Sequence, residues 1–243
     1  MLNMLKTEFL KLKKDTMFLV GTIISVITPV LLIIKDKHLS NPPDEIMEWL
    51  TSCFAADFIV FSILSGFIVT NLVQKEYQAG TLKNILSSAV SRVTFVCSKL
   101  VVWFLWYAAT LVLVVVITVS GAKLIYPEQF SHGFVKNATD MFLKFGLLSF
   151  VSFIPLLWIT ILQQKLFYPS VLITIALTGI LLGGINTPSE MILPASIVPW
   201  TAVPLVTVYK PRSPYTKIGL ISVLLTGFIG LLLSCYTFHR QDQ

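Results

Sequence analysis

Apolar positions in this chain run in long uninterrupted blocks, not in the alternating or three-and-four spacing of a soluble core. Residues 17–34 carry no charge, and comparable blocks recur at 54–73, 100–119, 145–162, 167–185 and 218–236. A helix of about 20 such residues crosses the hydrocarbon layer of a bilayer. The pattern predicts one all-α polytopic membrane domain over 1–243, with six transmembrane helices in those blocks and a kink at Pro29. Ahead of the first block, Leu2, Leu5, Phe9 and Leu12 share a helical face, while Lys6, Glu8, Lys11, Lys13 and Lys14 crowd the other side. That predicts an amphipathic helix over 1–16 lying in the headgroup plane, with a plain solvated leader as the alternative. No A-x-A-like cleavage site follows, so the first block is expected to stay as an anchor.

One block resists this scheme. Residues 191–209, MILPASIVPWTAVPLVTVY, are uncharged and nominally long enough to span. Pro194, Pro199 and Pro204, however, each remove a backbone donor that lipid does not replace. A seventh crossing would also separate the two termini. The preferred expectation is a broken, partly re-entrant segment within an outer stretch, 186–217.

Composition agrees with the pattern: 55% of residues are hydrophobic and only 12% charged, about half the charged fraction of a soluble chain. The formal net charge of +6 sits in segments beside apolar blocks, where it records topology and attraction to anionic lipid, not nucleic acid. Basic residues are densest before the first block and between the second and third, which puts both termini in the cytoplasm. Cys53, Cys97 and Cys235 lack metal-type spacing and read as small apolar residues. There is no G-x-x-x-x-G-K-[ST], no H-E-x-x-H and no G-x-S-x-G, so the chain is expected to hold no ATP site, metal or catalytic residue of its own.

Asp57 is the single charge inside a predicted span. A carboxylate near the bilayer centre costs about 2.5–3.5 kcal/mol, which makes it a candidate for the substrate path or outer gate. Its place three residues into the block, near water, supports the plainer reading of a tolerated terminal charge. Gly179 and Gly183 form G-x-x-x-G, which serves packing within the chain or between chains equally well.

Between the second and third blocks lies QKEYQAGTLKNILSSAVSRVTFVCSK, residues 74–99, with four Lys or Arg and one Glu. Gly80 and Thr81 suit the start of a short helix, in which Leu82, Ile85 and Leu86 share one face and Lys83 points elsewhere. Ser91 is a second capping candidate, leading through Arg92 and Lys99 into the next span. So short a helix needs a surface to lie on. The piece is either a lever that takes a push from another protein or an ordinary interfacial loop.

Glu76, then Gly80-Thr81-Leu82-Lys83, then Ser91-Arg92, then Lys99 resembles the signature of type-2 ABC exporter permeases. Size and layout resemble the subgroup for bacitracin resistance, lantibiotic immunity and cytolytic-peptide export. Where that family often has Pro before the small residue and S-R, this chain has Ala89-Val90. The resemblance implies a bacterial plasma-membrane permease whose segment 74–99 holds a coupling helix docked on an ATP-binding subunit. Leu82, Ile85 and Leu86 would take the push, and Arg92 and Lys99 would contribute headgroup or partner contacts. It further implies a second permease, identical or homologous, and two ATP-binding subunits carrying ATP and Mg. The implied cargo is an amphipathic peptide, released through an outer gate near Pro194, Pro199, Trp200 and Pro204. A cargo of lipid, drug or envelope precursor, and a non-transporting scaffold or sensor, stand as alternatives.

Overall fold

In a computed structural model, residues 2–12, 15–38, 42–80, 91–164, 166–185, 187–209 and 213–241 are described, and among them there is no strand. Helix α1 (Leu2–Leu12) leads to α2 (Thr16–His38), α3 (Ile46–Gln78) and α4 (Arg92–Ile125). Helices α5 (His132–Phe153) and α6 (Pro155–Gln163) form one rod interrupted at Ile154, and α7 (Tyr168–Gly183) follows. A 3-10 turn (Ser189–Met191), α8 (Ile192–Ile197), α9 (Pro199–Pro204) and a wide turn (Leu205–Tyr209) lead into α10 (Thr216–Arg240).

Five of these elements are long and apolar enough to cross a membrane: α2, α3, α4, the α5–α6 rod and α10. The expected block 167–185 yields only the 16 residues of α7, about 24 Å of helix. In the other direction, α3 and α4 have 33 and 34 residues and reach about 50 Å each. They take in 46–49, 74–78 and 92–99, parts of the stretches that charge sets apart in the sequence. Lys, Glu and Gln are good helix formers, so charge marks where the lipid ends and not where the helix ends. Helix α2 continues through Pro29. The break falls at Pro155, which lacks the amide its helix needs. Gly230 of α10 accommodates that corner: a Cβ there would lie 2.8 Å from the backbone of Pro155.

Helix α3 is central and buries residues on all sides, whereas α2 and α10 present Leu19, Ile23, Leu31, Leu224, Phe228 and Leu232 outward. The core is aromatic. Phe54 and Phe58 of α3 meet Phe145 of α5 with ring centroids 4.5 and 4.4 Å away, and Phe61 meets Tyr107 of α4 at 4.5 Å. Such offset and edge contacts add roughly 0.5–1.5 kcal/mol each beyond the area they bury.

Polar contacts fix the course of the chain. Trp49 Nε1 donates to Asp36 Oδ2 at 2.8 Å, and Tyr126 OH donates to the Pro43 carbonyl at 2.6 Å, closing the end where α2 meets α3. At the other end the Arg92 guanidinium caps the C-terminus of α10, donating to the carbonyls of Phe238 at 3.3 Å, His239 and Gln241 at 2.9 Å. Glu8 of α1 meets Lys99 there as well. Both ends of the described chain therefore lie on the face where α3 ends and α4 begins. Helix α7 leaves that face antiparallel to α3, through Ser170 on Thr70 at 2.9 Å and Thr174 against Gly66.

Candidate transmission site

The chain leaves α3 and enters α4 with explicit stop and start signals. Gly80 has φ +63°, a left-handed conformation that L side chains adopt at a cost, and its amide points back to the Tyr77 carbonyl at 3.4 Å. Ser91 is extended, and its Oγ accepts from the Thr94 amide at 3.1 Å, an N-cap on α4. Residues 81–90, with Thr81, Leu82, Lys83, Ile85 and Leu86, lie outside the described residues.

Between the end of α3 and the start of α4 sits an ion quartet in which Glu8, Glu76 and Lys99 are buried. Lys99 is 1% exposed, and its Nζ donates to Glu8 Oε2 at 2.6 Å and Glu76 Oε1 at 2.9 Å. Lys11 Nζ, half-exposed, reaches the same two residues, at 3.2 Å to Glu8 and 2.7 Å to Glu76. Burial alone would lower the Lys11 pKa; the hydrogen bond it donates to Glu76 and the charges of Glu8 and Glu76 outweigh it and raise it. The stabilisation Lys11 adds is complete below the ordinary lysine value of 10.5 and is lost as pH climbs through the raised one, so it is constant near neutrality. A further tie joins Lys75 Nζ to Asp15 Oδ2 at 2.7 Å, with Asn71 Nδ2 donating to the same oxygen at 3.0 Å.

These contacts correct two expectations. Lys99 is not directed at headgroups or a partner; a buried ammonium is costly unless paired, and here it is the counterion of two carboxylates. Arg92 Nη1 donates to helix-end carbonyls, where a cation is favoured. Glu8, the sole acid of α1, was assigned by its spacing to the polar outer face, yet it is 3% exposed. Its pairing with a lysine 91 residues away leaves no local sequence signal.

Helices α3 and α4 are joined by polar contacts at three depths. Beside the gap, Glu76 meets Lys99; further along, Trp103 Nε1 donates to Ser65 Oγ at 3.0 Å; toward the far end, Thr118 Oγ1 donates to Asp57 Oδ2 at 3.1 Å. Asp57 is therefore 11 residues inside a helix that begins at Ile46, buried against α4, and not among the residues of the far-end cleft. Its other oxygen has no partner among the described residues.

At that far end, 191–209 is broken as its prolines require. Pro194 lies exposed within α8, Pro199 starts α9, and Pro204 ends it. Trp200 Nε1 reaches the Ser152 carbonyl beside the Pro155 break at 3.0 Å. The neighbouring Val151 lies against Gly227, in the middle of α10, so the indole reaches about half-way along the bundle. A cleft of about 780 Å³ opens between α5 and the α9–α10 connection, with Asp140, Lys144, Leu148, Val206, Thr207 and Leu220 in its walls. Lys144 and Asp140 pair there at 2.6 Å. Gly179 and Gly183 have open space where a Cβ would stand, so they do not serve packing among the described residues. No metal-binding group of His, Cys, Asp and Glu occurs among the described residues.

An all-helical bundle with five bilayer-length elements is a multi-pass membrane protein. The chain belongs to the ABC-2 family of transporter proteins, whose family model matches residues 4–181, from α1 through most of α7. It is thus an ABC transporter permease, a membrane transport subunit that works with an ATP-binding partner. It is similar to the bacitracin transport permease protein BCRB of Bacillus licheniformis, with 27% identity over 181 residues, 74% of this chain and 84% of the relative.

Proposed function

We propose that this permease serves an ATP-driven exporter that removes amphipathic peptide antibiotics or toxins from a bacterial plasma membrane. Two ATP-binding subunits, holding ATP and Mg, and a second permease, identical or homologous, complete the assembly. Both termini and the segment 74–99 face the cytoplasm, and α7 supplies the sixth crossing. The observation that carries the reading is the α3–α4 pair, joined at three depths and interrupted only at the segment that matches the family signature.

Closure of the ATP-binding subunits pushes on Leu82, Ile85 and Leu86 of the coupling helix. Because α3 and α4 are held together along their length, they tilt as one body, and the opening forms elsewhere. The broken segment bearing Pro194, Pro199, Trp200 and Pro204 is the outer gate, re-entrant to the depth of Ser152. The adjoining cleft, apolar with the Asp140–Lys144 pair in its wall, suits a cargo with an apolar body and a polar end. The named activity of the Bacillus licheniformis relative favours peptide over lipid, drug or envelope precursor.

Growth of a host with and without the permease and its ATP-binding subunit, in bacitracin, a lantibiotic and unrelated drugs, tests the cargo. Tolerance raised for the peptides alone is expected; tolerance raised only for unrelated drugs would overturn that assignment. A mere scaffold or sensor predicts no cargo-stimulated ATP hydrolysis in the reconstituted complex. Asp57→Asn keeps an oxygen to accept from Thr118, so transport at the wild-type level is expected; its loss would return Asp57 to the cargo path or gate.

A further inference from the structure

The exporter reading assigns work to α3 and α4 and none to α1, yet the ion quartet draws half its members from α1. Glu8 and Lys11 stand three residues apart, on one face of that helix. Glu8 takes the ammonium of α4, and Lys11 takes the carboxylate of α3. The crossing is completed by Glu8 with Lys11 and by Glu76 with Lys99. Two acids and two bases are thus arranged so that each acid touches both bases. Glu76 lies four residues before Gly80 and Lys99 eight after Ser91, so α1 is tied to both roots of the segment that receives the push. Glu8 supplies one of the two carboxylates on Lys99, an ammonium that is 1% exposed with α1 in place. The opposite flank of α1 leaves Phe9 and Leu10 exposed. The Asp15–Lys75 pair, just past α1, ties the start of α2 to the same region of α3.

We propose that Glu8 is a positioning residue of the transport cycle. Through Lys99 it holds α1 to the roots of 81–90, so that a push on that segment moves α1, α3 and α4 as one body. The inference rests on the exporter reading, and its test separates the two. Glu8→Gln is nearly isosteric and removes one charge. The full reversal, Glu8→Lys, Lys11→Glu, Glu76→Lys and Lys99→Glu, keeps each acid against both bases.

Spin labels at Phe9, Gln78 and Val93, in pairs on a background lacking the native cysteines, report the position of α1 against α3 and α4. The complex with the ATP-binding subunit is measured nucleotide-free and trapped with ADP–vanadate. In the wild type, the distances from Phe9 are expected to be the same in both states. In Glu8→Gln they are expected to match the wild type without nucleotide, then to shift by several ångströms and broaden on trapping, with bacitracin tolerance reduced about tenfold. The full reversal is expected to restore both readouts.

Glu8→Gln distances that ignore nucleotide would overturn the proposal, as would α1 moving against both other helices in the wild type. So would a Glu8→Gln protein that fails to accumulate, or that loses tolerance only in proportion to its amount, because the quartet would then be a folding element alone. Wild-type permease that captures no ATP-binding subunit would instead overturn the exporter reading, and this inference with it.

Discussion

Aspartate at both Leu82 and Ile85 is expected to separate the permease from its ATP-binding subunit while leaving it in the membrane. In the proposed coupling helix the two side chains share an apolar face with Leu86. Burying one such side chain contributes about 1.5–3 kcal/mol. Losing two, and adding charge to a face that must be desolvated, removes at least about 4 kcal/mol, roughly a thousandfold in Kd. Pull-down of the ATP-binding subunit and peptide tolerance should therefore both fall to background, while the amount of membrane-inserted permease stays near wild type. Lys83→Asp, on the other side of the same helix, should be much milder, which separates loss of a docking face from loss of positive charge.

Lys99→Met is expected to act on the permease itself. It leaves Glu8 and Glu76, both buried, sharing the half-exposed Lys11. Breaking a buried pair from one side costs about 3–5 kcal/mol, because a charge is left without its partner. The thermal midpoint in detergent should fall by several degrees, and the protein should become sensitive to protease at α1. Adding Glu8→Leu removes one of the stranded acids and leaves Lys11 with Glu76. The double variant should recover part of the loss, giving a coupling energy of about 0.5–3 kcal/mol in a double-mutant cycle. A double variant that is less stable than Lys99→Met alone would show that Glu8 is held by something other than Lys99.

The helical class, five of the six expected crossing blocks and the broken nature of 191–209 are legible in the sequence, because lipid leaves the backbone few choices. Proline spacing alone dictates that 191–209 breaks. The capping role of Ser91 is legible for the same local reason. Helix lengths are not: α3 and α4 continue well past their apolar blocks, since a charged residue ends burial in lipid without ending a helix. The ion quartet was hidden for a different reason. Its members, from Glu8 to Lys99, come from three helices, and only Glu8 with Lys11 has the spacing of neighbours. For Lys99 the resemblance implies headgroup or partner contacts, because a family signature records which residues recur, not which way they point. Arg92 matches the signature, and its Nη1 also donates to the end of α10.

The central claim is that an ATP-driven subunit grips the segment beginning at Gly80. Photocrosslinking from single positions addresses it directly, in cells expressing the permease with its ATP-binding subunit. The probe is placed at Leu82, Ile85 or Leu86 and, as the far-end control, at Met47 or Lys144. Crosslinks to the ATP-binding subunit from the first three positions and none from the last two are predicted. A functional complex that crosslinks from none of 82, 85 and 86 would contradict the account.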